Sequence, residues 1–573
     1  MRYNGKYYMY PSSGTADNDT AGVKVFSSED LVNWTYEGFA LEAVEADRAY
    51  APEVMYYNGW FFMCQSGSKE VDGVIKGGQG HYIYKSQSPT GPFEKITDDF
   101  GYGIDGAMWI NDNGDLFFMY AKSYSVRIVP MDKQTMKPIS GTNVHTVLNA
   151  VMPPMEGKSN WVEGPGLFRR GDYLYLTYSG NKVTQDVYRI GYSWQKGSNP
   201  LDNFTQPENN ILMLETGPDN FRGLGHNSNV IGPDLDSWYV AYHNLVSVDG
   251  PQRRYMLDKL VTNGAQVMAN GPTYWRTDAP NRPDFEIRDI NAPQGGLWFG
   301  SKVSEAVFTA EANFTPAQGS ITRVAFGYVD SNNYAEAVWN DGTKTLTVNS
   351  VKNGTRTTLG SAKIDFLSAG VLHTLRIEQG AERLMVYMDT MRKIDVAYAG
   401  TAGMLGLEGN FGYVAFSNNA FGTSDFDTIK QVEGTFPAVH YLKGENRGFH
   451  IANATVGGIR QGEKESTVCG ENDVYSLKLD TAGDWVKYAI AVNAEGIYDL
   501  SAVLGESTGK FQVIVDNCDI YEVDLETAGD VLAQLNLTAG KHTLKIRLRE
   551  GSLIATSFTL ALPVVEDVPE VTE

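Results

Sequence analysis

The sequence predicts an all-β protein, a five-bladed β-propeller followed by two β-sandwiches, on three observations. The first is a repeat. A tight turn leading into an aromatic strand recurs as Asn4-Gly5-Lys6-Tyr7-Tyr8-Met9-Tyr10, Asn58-Gly59-Trp60-Phe61-Phe62-Met63 and Asn113-Gly114-Asp115-Leu116-Phe117-Phe118-Met119-Tyr120. Two looser copies follow, Gly171-Asp172-Tyr173-Leu174-Tyr175-Leu176-Thr177-Tyr178 and Asp236-Ser237-Trp238-Tyr239-Val240-Ala241-Tyr242-His243, so the turns stand 54, 55, 57 and about 65 residues apart. A fixed period of this kind marks equivalent structural units. The second observation is the near absence of helical periodicity, which leaves short aromatic strands between Gly and Asn turns, as in four-stranded blades. The third is a break at Pro280, Pro283 and Pro293, where the repeat stops and a domain boundary is expected.

Within the units, residues 23–34, 82–93 and 188–204 read as further strands ending in small polar turns, and the propeller is placed over residues 1–290. From 295 to 430 polar and apolar residues alternate, and Asp341-Gly342 and Asn353-Gly354 read as two-residue hairpin turns. From 435 to 563 the segments Asp484-Trp485-Val486-Lys487-Tyr488, Gly496-Ile497-Tyr498-Asp499-Leu500 and Ala539-Gly540-Lys541-His542-Thr543-Leu544 predict a second sandwich. Trp485, inside such a strand, reads as core packing rather than as a sugar platform. The tail, 564–573, is acidic and without pattern.

Lys and Arg number 47 against 69 Asp and Glu, a formal charge of −22 with no basic run. Nucleic acid and anionic membrane are therefore excluded as expected partners. Nothing approaches a membrane span of roughly 18 apolar residues. The three cysteines, Cys64, Cys469 and Cys518, lack metal-ligand spacing, and the last two lie near enough in sequence for a disulfide.

Ahead of the aromatic strands lie polar residues that belong on the innermost strand of each blade, facing the central funnel. They are Glu53 in Ala51-Pro52-Glu53, Asp105 in Ile104-Asp105-Gly106, Glu163 in Trp161-Val162-Glu163-Gly164-Pro165 and His226 in Gly225-His226-Asn227-Ser228. Carboxylates that converge on one axis raise one another's pKa. Acid-base cleavage of a glycosidic bond needs such a set: one carboxyl protonated to donate, another ionised to activate water.

These four motifs, in successive repeats and together with Ser27-Ser28-Glu29-Asp30-Leu31, resemble glycoside hydrolase family 43 over residues 1–280. The resemblance implies an inverting, secreted enzyme acting on arabinose- and xylose-containing plant cell-wall polysaccharide, α-L-arabinofuranosidase before β-xylosidase or endo-arabinanase. It implies Glu163 as general acid, with a raised pKa, and Asp105 as the group that tunes and orients it. Glu53, His226 and Trp161 are expected to contact substrate. No cofactor is required, although some relatives hold a central calcium ion, which would lie beside His226. Residues 295–430 resemble a concanavalin-type sandwich, and 435–563 a carbohydrate-binding module of families 6 and 35.

One departure concerns the base. Counted back from the turn glycines, the first blade's acid falls just before Met1, where the family's catalytic Asp-Pro would stand. Asp17 and Asp19 follow the aromatic strand and cannot replace it. The expectation is an N-terminally shortened copy without general base or first inner strand, and a non-catalytic carbohydrate-binding protein is the alternative from another class.

Overall fold

Each turn of the repeat joins the innermost strand of a sheet to its aromatic neighbour. This is seen in a computed structural model that describes all residues except 13–21, 43–45, 48, 68, 72–73, 77, 123, 150–160, 186–187, 208–209, 214–221, 248–251, 274–278, 421–427, 458, 461–462 and 564–573. Asp17, Asp19 and the acidic tail thus lie outside the described residues. Two compact units emerge, Met1–Gln206 with Arg222–Leu257 and Ala279–Gly422, and Pro207–Phe221 with Asp258–Asp278 and Thr423–Glu573.

Five antiparallel sheets follow one another in the propeller. The first runs Arg2–Tyr3, Lys6–Met9, Val23–Ser28, Thr35–Leu41. The second is Tyr50–Tyr57, Trp60–Ser66, His81–Ser86, Glu94–Lys95. Ile104–Ile110, Leu116–Lys122 and Ser125–Asp132 lead the third, and Val162–Arg170, Tyr173–Gly180 and Arg189–Lys196 make the fourth. The fifth is Gly225–Ile231, Trp238–Ser247, Gln252–Asn263, Gln266–Asn270. In the second, third and fourth blades the second strand is buried on both faces, as in Trp60–Ser66 and Tyr173–Gly180, because neighbouring blades cover it from both sides. That is why the repeat is aromatic at consecutive positions rather than alternate ones. Burying each such ring stabilises the fold by roughly 1.5–3 kcal/mol. The ring closes where Tyr7 packs on Leu31 and Tyr239 and its hydroxyl donates to the Ile231 carbonyl at 2.9 Å.

The first blade was expected to lack its inner strand. The structure has one there, Arg2–Tyr3 paired with Lys6 and Tyr7, against seven to nine residues in the other innermost strands.

The sandwich after the propeller opens at Phe285–Ala292, earlier than the expected boundary, because that strand pairs with Gly403–Ser417. Two sheets share Gly403–Ser417 and enclose Phe308, Phe326, Trp339, Leu346, Ile377 and Phe416. Asn353-Gly354 forms the expected two-residue turn, with positive φ at both residues and Lys352 opposite Thr355. Asp341-Gly342 does not. There the strands part at Asn340 and Thr345, because the Asp341 carboxylate is held by the Gly319 N–H at 2.8 Å and the Lys344 ammonium at 2.5 Å.

The tips of the propeller repeat meet this sandwich. Gly5 lies against Tyr413, Gly59 against Val371 and Gly114 against Phe366, so close that a Cβ at any of them would clash. Asn58 exchanges hydrogen bonds with Phe366 and Ser368. Asp172 receives Arg383 and Arg392 at 2.7 Å. One end of the propeller is thus capped by the sandwich.

In the second unit, Ile429–Val432, Trp485–Val492, Thr508–Val515 and Gly540–Ala561 build the sheets of the other sandwich around Tyr441, Tyr488, Phe511, Leu544 and Phe558. The disulfide allowed by sequence is absent, since Cys64, Cys469 and Cys518 are all free thiols.

Candidate active site

Four of the innermost strands carry a β-bulge near their start. The register slips between Tyr50 and Glu53, Ile104 and Ala107, Glu163 and Gly166, and Gly225 and Ser228. The second residue of each bulge is left-handed: Ala51, Asp105, Gly164 and His226, with φ of 41, 58, 59 and 50°. Bulges re-aim side chains next to functional sites, and a left-handed Asp or His stores strain of order 1–3 kcal/mol. Gly164 meets that geometry without strain, its missing Cβ facing the His226 ring. By register Glu53 is not the counterpart of Asp105: it closes its bulge, as Ser228 closes the fifth.

The N–H of the left-handed residue is anchored on the preceding blade. Ala51 donates to Ser12 Oγ at 2.9 Å, Asp105 to Ser66 Oγ at 2.8 Å and His226 to Ser179 Oγ at 2.7 Å. In the third blade the matching position is Ala121, opposite Ile104 as Ser66 is opposite Tyr50. There the acceptor for the Gly164 N–H is Asp105 Oδ2, at 3.1 Å. The structural clamp and the candidate chemical group are one carboxylate.

Asp105, Glu163 and His226 converge, each offering a ligand-type atom within 4.8 Å of the others. Asp105 is buried, and Glu163 and His226 are half-buried. Tyr188 donates its hydroxyl to Glu163 Oε1 at 2.5 Å, the Trp161 indole N–H donates to Oε2, and His226 Nδ1 stands 3.9 Å from Oε1. Trp161 is therefore a hydrogen-bond partner of Glu163. Glu53 accepts from Ser228 Oγ at 3.2 Å, away from this trio's hydrogen bonds.

Burial pushes the Asp105 carboxyl up to about 6, His226 opposing and Glu163 adding to the rise. Glu163 departs from expectation. Burial would raise its pKa, but His226, Tyr188 and Trp161 all favour the anion and hold it below the ordinary value. His226 is raised: burial disfavours its charge, and the two carboxylates outweigh burial. Sequence reasoning missed Tyr188, fully buried at the start of a strand and stacked on His243 at 5.6 Å. It also missed Ser66 and Ser179, whose signal was a serine seven or eight residues after a turn glycine.

A calcium ion fits this trio poorly. Calcium takes six to eight oxygen ligands, whereas both Glu163 oxygens and Asp105 Oδ2 already accept hydrogen bonds and the third group is an imidazole.

Among known proteins, the chain is 24% identical over 261 residues to an extracellular exo-α-(1→5)-L-arabinofuranosidase of Cellvibrio japonicus, covering 40% of this chain and 74% of that one. It is 25% identical over 241 residues to a non-reducing end α-L-arabinofuranosidase of Bacteroides ovatus, covering 40% and 42%. Against a xylan 1,3-β-xylosidase of a Vibrio species it is 22% identical over 304 residues, covering 48% and 54%. The chain thus spans about half the length of the latter two. Residues 1–265, the propeller, match the model of glycosyl hydrolases family 43.

Proposed function

We propose that the protein is an inverting glycosidase of arabinose- and xylose-containing plant cell-wall polysaccharide, with α-L-arabinofuranosidase the first choice and β-xylosidase or endo-arabinanase the alternatives. The observation that carries the proposal is the convergence of Asp105, Glu163 and His226 from three successive blades. Glu163 acts as general acid. Free, it is held as the anion; substrate covering the site excludes water and raises its proton affinity, and His226 beside it holds a proton to supply. Glu163 then protonates the glycosidic oxygen as the C–O bond breaks. Water attacks the opposite face and passes its proton to a carboxylate about 6.5–9.5 Å from Glu163, a base that the trio of Asp105, Glu163 and His226 does not supply.

Asp105 cannot be that base. Inversion needs about 6.5–9.5 Å between acid and base to seat the water, and Asp105 lies within 4.8 Å of Glu163. Its part is to aim Gly164, and so Glu163, and to shape the local charge. Glu53 is read as a contact for a sugar hydroxyl. No cofactor enters this scheme. The two sandwiches are read as accessories of concanavalin and carbohydrate-binding type, and an extracellular location follows the names of relatives. Among the described residues no helix is long and apolar enough to cross a membrane.

A panel of aryl glycosides tests the proposal. Aryl α-L-arabinofuranoside is expected to be hydrolysed fastest, with inversion. Glu163→Gln should lose about 10²–10⁴-fold on substrates with poor leaving groups and much less on activated aryl glycosides. Equal loss on both classes would rule out proton donation by Glu163.

A further inference from the structure

Both sandwiches carry the same kind of strand opening, His373-Thr374-Leu375-Arg376-Ile377 in one and His542-Thr543-Leu544-Lys545-Ile546 in the other. In each, the histidine faces the tip of a neighbouring hairpin that begins with an aspartate of positive φ. These are Asp389 at 47° and Asp516 at 51°, followed by Thr390 at 71° and Asn517 at 58°. Four hydrogen bonds repeat. His373 Nδ1 donates to Asp389 Oδ2 at 2.6 Å, the Thr374 N–H to Asp389 Oδ1 at 2.7 Å, the Asp389 N–H to the Thr374 carbonyl at 2.9 Å, and His373 Nε2 to the Ser368 carbonyl at 2.8 Å. In the second copy His542 Nδ1 donates to Asp516 Oδ2 at 2.6 Å, the Thr543 N–H to Asp516 Oδ1 at 2.8 Å, the Asp516 N–H to the Thr543 carbonyl at 3.0 Å, and His542 Nε2 to the Thr538 carbonyl at 2.9 Å. That second strand runs beside Trp485–Val492, where Val486, Tyr488 and Ile490 fill the core and Trp485 does not, against its reading as core packing.

A carbonyl can only accept, and a carboxylate that already accepts a backbone N–H is favoured as the anion. Both ring nitrogens must therefore donate, which requires the imidazolium. Neutralised, either ring would turn a lone pair on an acceptor in a buried place, leaving a hydrogen bond unmade. The surrounding charges agree. Burial works against the charge on His373, but Asp389 and then the Ser368 carbonyl outweigh it, with Lys344 opposing. Asp341, paired with Lys344 at 2.5 Å, also senses this ring, Phe314 packs 6.0 Å from it, and Tyr3, Tyr56 and Tyr57 of the propeller act on Asp389. Burial likewise opposes the charge on His542, and Asp516, then the Thr538 carbonyl and Asp519, outweigh it. Both histidines thus stand above their ordinary value.

Each imidazolium ties down a segment that touches the propeller. Residues 366–372 lie on its turns: Asn58 Nδ2 donates to the Phe366 carbonyl at 3.0 Å, the Ser368 N–H to Asn58 Oδ1 at 2.8 Å, and the Tyr56 hydroxyl to the Leu372 carbonyl at 2.8 Å. His373 holds Ser368 from the other side. In the second unit, 538–542 is tied in the same manner, and Lys541 within it donates to the Val267 carbonyl at 2.6 Å.

We infer that one proton on each His–Asp pair clasps a sandwich segment against the propeller strand or turn it touches, so that alkaline pH releases 366–372 from Asn58 and 538–542 from Val267. A group whose folded pKa is raised gives stability that is complete below about pH 6.5, the ordinary histidine value, and is lost as pH rises through the folded one. The clasps use none of Asp105, Glu163 and His226, so they stand whether or not the glycosidase assignment does.

The test follows hydrogen exchange of the full chain by mass spectrometry, as protection relative to the unfolded chain, in segments 366–372 and 538–543 at about pH 6 and about pH 9.5. Protection of both segments is expected to fall by at least about tenfold at the higher pH. Asp389→Asn keeps the clasp without the proton. Asparagine tolerates the positive φ, its amide donates to a neutral Nδ1, and its oxygen still accepts the Thr374 N–H. In this variant 366–372 should change by less than about twofold with pH, while 538–543 falls as in the parent. Asp516→Asn should exchange the roles of the two segments, and it decides the matter if the first variant does not fold. No fall in the parent, or an equal fall of the tied segment in parent and variant, overturns the inference.

Discussion

His243 shows how one buried side chain sets a pH limit on the fold. Its ring is buried, stacks on Tyr188, and among the described residues leaves Nε2 without a hydrogen-bond partner. Burial, with Arg253 adding, lowers its pKa to about 3, and His81, also buried, falls to about 4. A histidine depressed in the folded state contributes stability that is present above about pH 6.5 and is lost as pH falls toward the folded value. For His243 the full span is up to about 5 kcal/mol. His243→Phe keeps the ring stack and cannot take up a proton. Its Tm should therefore fall less than the parent's between pH 7 and pH 5, with His81 accounting for the fall that remains. Identical slopes would mean that His243 is solvated in solution. The same ring lies under Tyr188, so this residue joins acid stability to the placing of Glu163.

At the scale of elements, the bulge on the innermost strand explains how a repeat that serves stability also serves chemistry. Every described junction from the first blade to the fifth ties a left-handed N–H to an acceptor on the blade before: Ser12, Ser66, Asp105 and Ser179 in turn. Ser66→Ala leaves the Asp105 N–H buried without a partner, at a cost of about 1–3 kcal/mol, and frees the carboxylate that aims Gly164. Ser12→Ala makes the same kind of loss at Ala51, which bears no chemical group. Both variants are expected to lower Tm to a similar extent, but only Ser66→Ala should depress kcat on an aryl arabinofuranoside, by at least tenfold. A parallel fall in both would reduce the clamp to a structural device.

For the whole molecule, the chain direction within each blade separates floor from mouth. The candidate groups stand at the start of their strands, and the turns that touch the sandwich come six to nine residues later, about 20–30 Å away at 3.3 Å per residue. The sandwich therefore closes the end opposite Asp105 and Glu163. Asp112 is central to that floor. It pairs bidentately with Arg169 at 2.6 and 2.9 Å and accepts the Arg392 N–H at 2.7 Å. Asp112→Ala strands the nearly buried Arg169 charge and cuts a tie to the sandwich, so a loss of about 2–3 kcal/mol is expected. Thermal unfolding checks this, and a loss below about 0.5 kcal/mol would show that the floor does not rest on this residue.

The sequence by itself determined what neighbours along the chain encode: the five turns, the strands between them and the Asn353-Gly354 hairpin, with Asp105 and Glu163 in successive repeats but, by register, one bulge position apart. Turn dihedrals and alternation are local, so they can be read without coordinates. Where a local signal lost, as at Asp341-Gly342, a distant partner had claimed the side chain. Only the tertiary structure decided that Glu163 is held as an anion, since its three donors, Trp161, Tyr188 and His226, come from two blades and lie up to 63 residues away in the chain. It alone set Glu53 apart from Asp105 by one bulge, put the sandwich on the turns, and faced Lys487 with Lys545 across 58 residues of sequence. Distances between side chains remote in sequence follow from register, twist and packing, and those are properties of the folded chain.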